Sequence, residues 1–227
     1  MGHVTTFRRA RSDEQREQRR QAILSCAAAM LREMPVADLS LNELSRRVGL
    51  AKSNVLRYFE TREAVLLELY DTAWKEWLGR LAPAMPPAAA EGDARTRYER
   101  VAATLTASLV ADPLLCELTS VSASVLERNI SPDVARRHKL SSVANIDRMA
   151  ALLCSSLPEL STDGAWRATV GILLAVAGIW PLTNPTEAML CVYEDPHLAL
   201  MRVDFPTALQ DALSVFLAGC LARWPAT

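Results

Sequence analysis

The chain has 227 residues, 50% of them hydrophobic and 22% charged, with a net charge of −1. That length and apolar content can bury a sizeable core and exclude a disordered chain. Five cysteines without a Cys-x-x-Cys pair and three widely separated histidines argue against a disulfide framework or a metal site. No cofactor is expected, and the compartment is expected to be reducing and cytoplasmic.

The charge is unevenly spread. Met1–Arg62 carries 12 Lys/Arg against 7 Asp/Glu, net +5, whereas Glu63–Thr227 carries 13 against 19, net −6. A basic N-terminal third points to a polyanionic partner that the acidic remainder does not share. Residues 1–11 read as a basic arm with Arg8, Arg9 and Arg11, suited to phosphate or minor-groove contact. Ser12 with Gln15 makes a capping-box pattern, so a helix is predicted from about Asp13 to Met34. Its apolar stripe is Ile23, Ala27, Met30 and Leu31, its first half is polar, and Pro35 closes it.

Ser40–Arg62 reads as two short helices with a tight turn between them. Ser40 and Glu43 form a second capping box, Leu41, Leu44 and Val48 recur at helical spacing, and Gly49 stands where a left-handed residue ends a helix. A second helix restarts at Lys52 or Ser53. At 100° per residue, Val55, Leu56 and Phe59 fall on an apolar arc, opposite Ser53, Asn54, Arg57 and Tyr58. The polar arc carries groups that bond base edges and phosphates, as a helix–turn–helix needs. On spacing alone a solvated surface hairpin fits equally well.

Thr61 caps a long helix from Arg62 to about Leu81, apolar over a broad arc (Val65, Leu66, Leu69, Tyr70, Ala73, Trp77, Leu81) and suited to joining two layers. Pro83–Gly92 breaks helix repeatedly and reads as a linker. Helices are then predicted over Asp93–Ala111, Pro113–Arg128, Pro132–Leu157, Thr162–Trp180 and Pro206–Ala222, with Pro181–Asp204 irregular. Ala168–Leu182 is uncharged and apolar, but it is shorter than a membrane span and Pro181 ends it, so a buried helix is expected and no membrane partner. Ala168, Gly171, Ala175 and Gly178 form a small-residue stripe, and Leu209, Leu213, Phe216 and Leu217 line the last helix. Two such helices from each of two chains make a plausible four-helix dimer interface; packing inside one chain is the alternative. Candidate pocket residues are the polar and aromatic groups Glu117, His138, Asn145, Arg148, Trp166, Trp180 and Tyr193. Cys116 and Cys154 are weighed as oxidant sensors, without a basic neighbour visible in sequence.

Over about Gln21 to Leu69 the chain resembles the TetR family of bacterial transcriptional repressors. The residues that carry the likeness are Ser40 at the cap, Leu44-Ser45, Gly49-Leu50-Ala51 at the turn, Tyr58-Phe59, and Arg62-Glu63-Ala64-Val65 at the next helix. Leu56 departs from the pattern, standing where the family often has a phosphate-binding tyrosine, and Arg62 replaces a common lysine.

The resemblance implies an all-α fold. Residues 1–62 would form a three-helix DNA-binding domain with a helix–turn–helix. Residues 63–227 would form a helical ligand-binding and dimerisation domain, with 63–82 as the connecting helix. It implies a homodimer on a palindromic double-stranded DNA operator, released by a small-molecule effector, and no enzyme activity. The residues expected at DNA are Ser40, Arg46, Lys52, Ser53, Asn54, Arg57, Tyr58 and Arg62, with Asn54 pairing adenine and Arg57 meeting guanine or phosphate. An activator of the same fold is an alternative. So is a helical enzyme or carrier, although no Gly-rich phosphate loop, metal-ligand spacing or nucleophile–base motif supports it.

Overall fold

The computed structural model describes residues 3–88, 92–183 and 185–226, with side chains in the first helix from residue 14 onward. The described residues form ten α-helices: α1 His3–Met30, α2 Leu41–Val48, α3 Lys52–Val55, α4 Arg62–Leu81, α5 Ala94–Val110, α6 Pro113–Val121, α7 Pro132–Ser156, α8 Thr162–Ile179, α9 Glu187–Val192 and α10 Phe205–Arg223. Apart from one isolated bridge between Leu160 and Pro225, no β-pairing joins them.

Local chemistry explains most boundaries. The side chains of Ser40, Thr61, Asp93, Asp112, Ser131, Ser161, Thr186 and Asp204 each accept a backbone N–H from the first turn of the helix that follows. Gly49 ends α2 with φ 71° and ψ 30°, a left-handed conformation that costs a residue with a Cβ about 1–2 kcal/mol.

Four expectations change. The arm over 1–11 is helical from His3, and Ser12 lies inside α1 rather than capping it. No Gly or Pro interrupts residues 3–30, so nothing in the chain stops the helix from extending. The helix expected over Pro113–Arg128 ends at Val121 and passes into a π-helical turn, Ser122–Leu126, where Glu127 N–H donates to Ser122 O at 3.2 Å. The stretch read as irregular contains α9, started by the Thr186 cap. The apolar stretch around Ala168 belongs to a longer helical segment than expected. Thr162–Thr183 and Phe205–Arg223 run 22 and 19 residues at mean hydropathies of 1.5 and 1.3, long and apolar enough to cross a membrane by length and composition.

The spine is α4. Eleven of its 20 residues are buried, and it packs against α1, α6 and α7. Each large apolar side chain taken from water contributes about 1.5–3 kcal/mol, which makes α4 the element the rest cannot lose. Trp74 and Trp77 meet edge to face at 5.2 Å, and Trp77 Nε1 donates to Ser108 Oγ of α5 at 3.2 Å. One continuous core runs from Ile23 of α1 to Cys220 of α10. α10 packs against both α5 and α8, whereas α2 packs against α1 and α3.

The structure revises the role given to the two last long helices. Ala168 and Gly171 of α8, and Leu209, Leu213 and Leu217 of α10, are buried within the single chain. A Cβ on Gly171 would fall 1.9 Å from the Phe216 ring, so this glycine serves a close approach between α8 and α10 of one molecule. The outer face of the pair is apolar and uncovered, with Leu174 68% and Val215 75% exposed. Ala175 is half-buried, whereas Gly178, Phe216 and Gly219 are exposed.

Candidate nucleic-acid interface

The unit Ser40–Arg62 is built from short-range chemistry. Ser40 Oγ accepts the Glu43 N–H at 3.2 Å. Only this half of the expected capping box forms. The Glu43 carboxylate turns instead to Arg46 (Nη2 at 2.6 Å) and Arg47 (Nε at 2.9 Å). Hydrogen bonds from Arg46 and then Arg47 hold its pKa down to about 2. Arg47 also pairs with Glu33 beyond the end of α1, tying α2 to α1.

α3 is a single α-turn, tightened at its end by Tyr58 N–H donating to Val55 O at 2.9 Å. Val55 and Phe59 are buried as predicted, but Leu56 is 42% exposed. Leu56 N–H still donates to Lys52 O at 3.0 Å, so Leu56 keeps the helical path; it stands about 100° round from Val55, at the edge of the buried arc. Lys52, Ser53, Asn54 and Arg57 are exposed. Among residues with described side chains, theirs make no hydrogen bond or ion pair. Tyr58 is half-buried and its carbonyl accepts Arg20 Nη1 at 3.1 Å.

Arg20 was not anticipated, yet it holds the arrangement together. It pairs with Glu68 of α4 (Nε to Oε1 at 2.6 Å) and lies 4.5 Å from the centroid of the Phe59 ring. Burial lowers its pKa; Glu17 opposes this, and the positive charges of Arg137 and Arg16 add to the lowering. One side chain thus joins α1, the turn after α3, and α4.

Arg62 differs from its expected role. Its Nη1 donates to Ala37 O and Leu39 O, both at 3.1 Å, and its Nε to Glu63 at 3.2 Å. It braces the segment before α2 against the start of α4, which leaves it little capacity for a phosphate. Arg46 is exposed but engaged with Glu43, and Ser40 serves first as a cap. Residues Gln15, Arg16, Arg19, Arg57 and Tyr58 line an open cleft of 430 Å³. Arg16 and Arg19 were missed in sequence, where the only signal was the polar first half of α1.

The pocket candidates do not converge. Glu117 and Trp180 do meet: Trp180 Nε1 donates to Glu117 Oε2 at 2.9 Å. Both line a groove of 1320 Å³ between the end of α1 (Leu31, Met34), α4 (Ala73, Arg80) and α6 (Leu114). His138 is buried elsewhere, with Nδ1 2.9 Å from Asp71 Oδ1. Asn145 is buried in α7, Arg148 and Trp166 are exposed, and Tyr193 sits half-buried after α9. Side-chain type alone carried these choices, and type does not encode convergence. Cys116 is buried, with its Sγ 3.4 Å from Leu109 O, and burial pushes its pKa up to about 12. It holds no reactive thiolate near neutral pH.

An all-helical fold that presents a capped helix–turn–helix with an unpaired polar face is that of a transcriptional regulator of the helix–turn–helix class. Residues 71–224 match the family model described as "Tetracyclin repressor-like, C-terminal domain". The chain belongs to the TetR family of transcriptional regulators. It is 38% identical over 55 residues to the HTH-type transcriptional regulator EthR of Mycobacterium tuberculosis, a match that spans 24% of this chain and 26% of EthR. It is similar in fold to the fatty acid degradation regulator FadR of Bacillus halodurans (TM-score 0.54, 14% identity, 88% of this chain and 98% of that one). It is likewise similar to FadR of Bacillus subtilis, solved in complex with stearoyl-CoA (TM-score 0.52, 12% identity, 88% and 98%). At these identities the likeness to the two FadR structures is one of fold.

Proposed function

We propose that the protein is a repressor that binds a palindromic operator as a homodimer and is released by a small-molecule effector. Residues 1–62 act as the reading head, 63–227 as the regulatory and dimerisation body, and α4 joins them. The observation that carries this reading is the set Lys52, Ser53 and Asn54, exposed and unpaired among the described side chains, presented by a helix–turn–helix docked through Leu44, Val55 and Phe59. Each half-site's major groove would receive one α3.

The dimer interface is placed on the outer face of α8 and α10. Leu174, Gly178, Val215, Phe216 and Gly219 form an apolar surface there, and a Cβ at Gly178 or Gly219 would meet nothing within its own chain. A second copy can therefore come close. The same burial accounts for two helices apolar enough for a membrane.

The effector site is placed in the groove at Glu117 and Trp180. A ligand seated there touches the end of α1 in the reading head as well as α4 and α6. Contact with both parts gives it the differential affinity for two head positions that release requires.

The test is a gel shift with the DNA upstream of the protein's own gene, followed by addition of candidate effectors; stearoyl-CoA, which the Bacillus subtilis FadR holds, is one probe. Salt-sensitive binding that prefers this DNA over a scrambled duplex is expected. Absence of preference for any promoter DNA would defeat the reading. A reporter compared between deletion and complemented strains separates repressor from activator.

A further inference from the structure

Two of the three guanidinium groups in the cleft beside the recognition turn were not anticipated from the sequence. Arg16 and Arg19 stand one turn apart on α1, so their side chains share a face. Arg57, from the turn after α3, lines the same cleft, together with the Gln15 amide and the Tyr58 side chain. Among the described residues, no acidic side chain lines it. Gln15, Arg16, Arg19 and Arg57 are exposed, and among residues with described side chains none of the three arginines has an ion-pair partner. Their neighbour Arg20, by contrast, is fully engaged with Glu68, the Tyr58 carbonyl and the Phe59 ring. That engagement fixes α1 to the recognition turn, so the cleft is held in shape by a charge that is itself neutralised.

Three like charges gathered without a counterion among the described side chains repel one another, and the arrangement is relieved by an anion. An open, exposed cleft lined by guanidinium, amide and phenol groups suits a phosphodiester that passes along the surface better than an enclosed small ligand. We infer that Arg16, Arg19 and Arg57 form one site for a DNA backbone phosphate flanking the major-groove contact. Arg57 is then a backbone contact and does not read a base. Base reading falls to Lys52, Ser53 and Asn54 at the start of α3, which do not line the cleft. This rests on the reading of the chain as a DNA-binding regulator and specifies how its head divides affinity from selectivity.

The experiment measures affinity of the full chain for its upstream DNA and for a scrambled duplex over a range of salt. It compares wild type with Arg16→Ala, Arg19→Ala, Arg57→Ala and Asn54→Ala, and with the Arg16→Lys and Arg19→Lys pair. All these side chains are exposed, and circular dichroism confirms that the fold is kept. Each arginine-to-alanine change is expected to weaken binding to both duplexes by the same factor and to make the log–log salt slope shallower by about 1. The lysine pair should keep the slope, and Asn54→Ala should lower the preference between duplexes. If Arg57→Ala removes the preference and leaves the slope unchanged, Arg57 reads a base and the phosphate site is wrong. If Arg16→Ala and Arg19→Ala change neither duplex, the site is also wrong, while the regulator reading stands. A chain that shows no preference for promoter DNA, yet loses scrambled-duplex binding in these variants, would keep the phosphate site and overturn the regulator reading. A chain that binds no duplex at all would overturn both.

Discussion

Arg62 shows how one side chain changes its meaning once its neighbours are known. By sequence it resembled a phosphate contact at the start of α4. In the structure it forks onto two carbonyls of the segment before α2. Arg62→Ala should therefore cost about 1–2 kcal/mol of stability by leaving those carbonyls unpaired, read as a lower midpoint in urea. Arg62→Lys, which keeps the charge but lacks the fork, should recover only part of it. Unchanged stability with weakened DNA binding would return Arg62 to the interface. Glu43 makes a second residue-scale case. Its carboxyl, held at about 2 in the folded chain by Arg46 and Arg47, has an unfolded value of about 4.3. A depressed acid contributes stability above its unfolded value and loses it as pH falls through its folded one. Glu43→Gln should thus flatten the acid side of the stability curve between about pH 5 and 2. A Glu43 carboxyl that titrates near 4 by NMR would contradict the geometry.

At the scale of elements, the caps were legible because capping is local. Ser40, Thr61, Asp112 and Ser131 each needed only three following residues to declare themselves, and the structure uses them as expected. The spacing also marked the buried faces of α4 and α10. What the spacing lacked was the identity of the surface each face meets. Leu56 failed because it stands at the edge of the apolar arc, where burial depends on what packs against it rather than on spacing. The small-residue stripe of α8 divides: Phe216 of the same chain occupies it at Gly171, while at Gly178 it stays open. Of the pocket candidates, Glu117 and Trp180 meet while the others are scattered, because convergence depends on pairs far apart in sequence. A substitution at the crossing tests the packing account. Gly171→Ala must push the Phe216 ring aside, an overpacking cost of about 1–3 kcal/mol, against the roughly 1 kcal/mol that alanine gains over glycine in a helix. A lower melting temperature is expected. In a Phe216→Ala background the clash is gone, and the same change should raise the melting temperature. The same effect in both backgrounds would mean that the two helices do not approach as described.

For the whole molecule, the charge split and the apolar outer face assign opposite ends to different work. The basic end can gain affinity from DNA without any help from the body. Among the described residues, nothing covers the outer face of α8 and α10, where Leu174 and Val215 are exposed. Val215→Glu should leave the helical content intact and convert a dimer to a monomer in sedimentation, with operator affinity falling because two half-sites are no longer bound together. A Val215→Glu protein that sediments as a dimer would place the interface elsewhere.

The π-helical turn at Ser122–Leu126 has a mechanical consequence. A π-turn closes its hydrogen bond over five residues where an α-turn uses four, so it holds one residue of slack. Just beyond it, Asn129 Nδ2 donates to Glu63 at 3.4 Å and Ser131 N–H donates to Glu60 at 2.7 Å. Glu60 directly follows Phe59, the anchor of the recognition turn. The π-turn and these two hydrogen bonds thus set where the body meets the recognition turn.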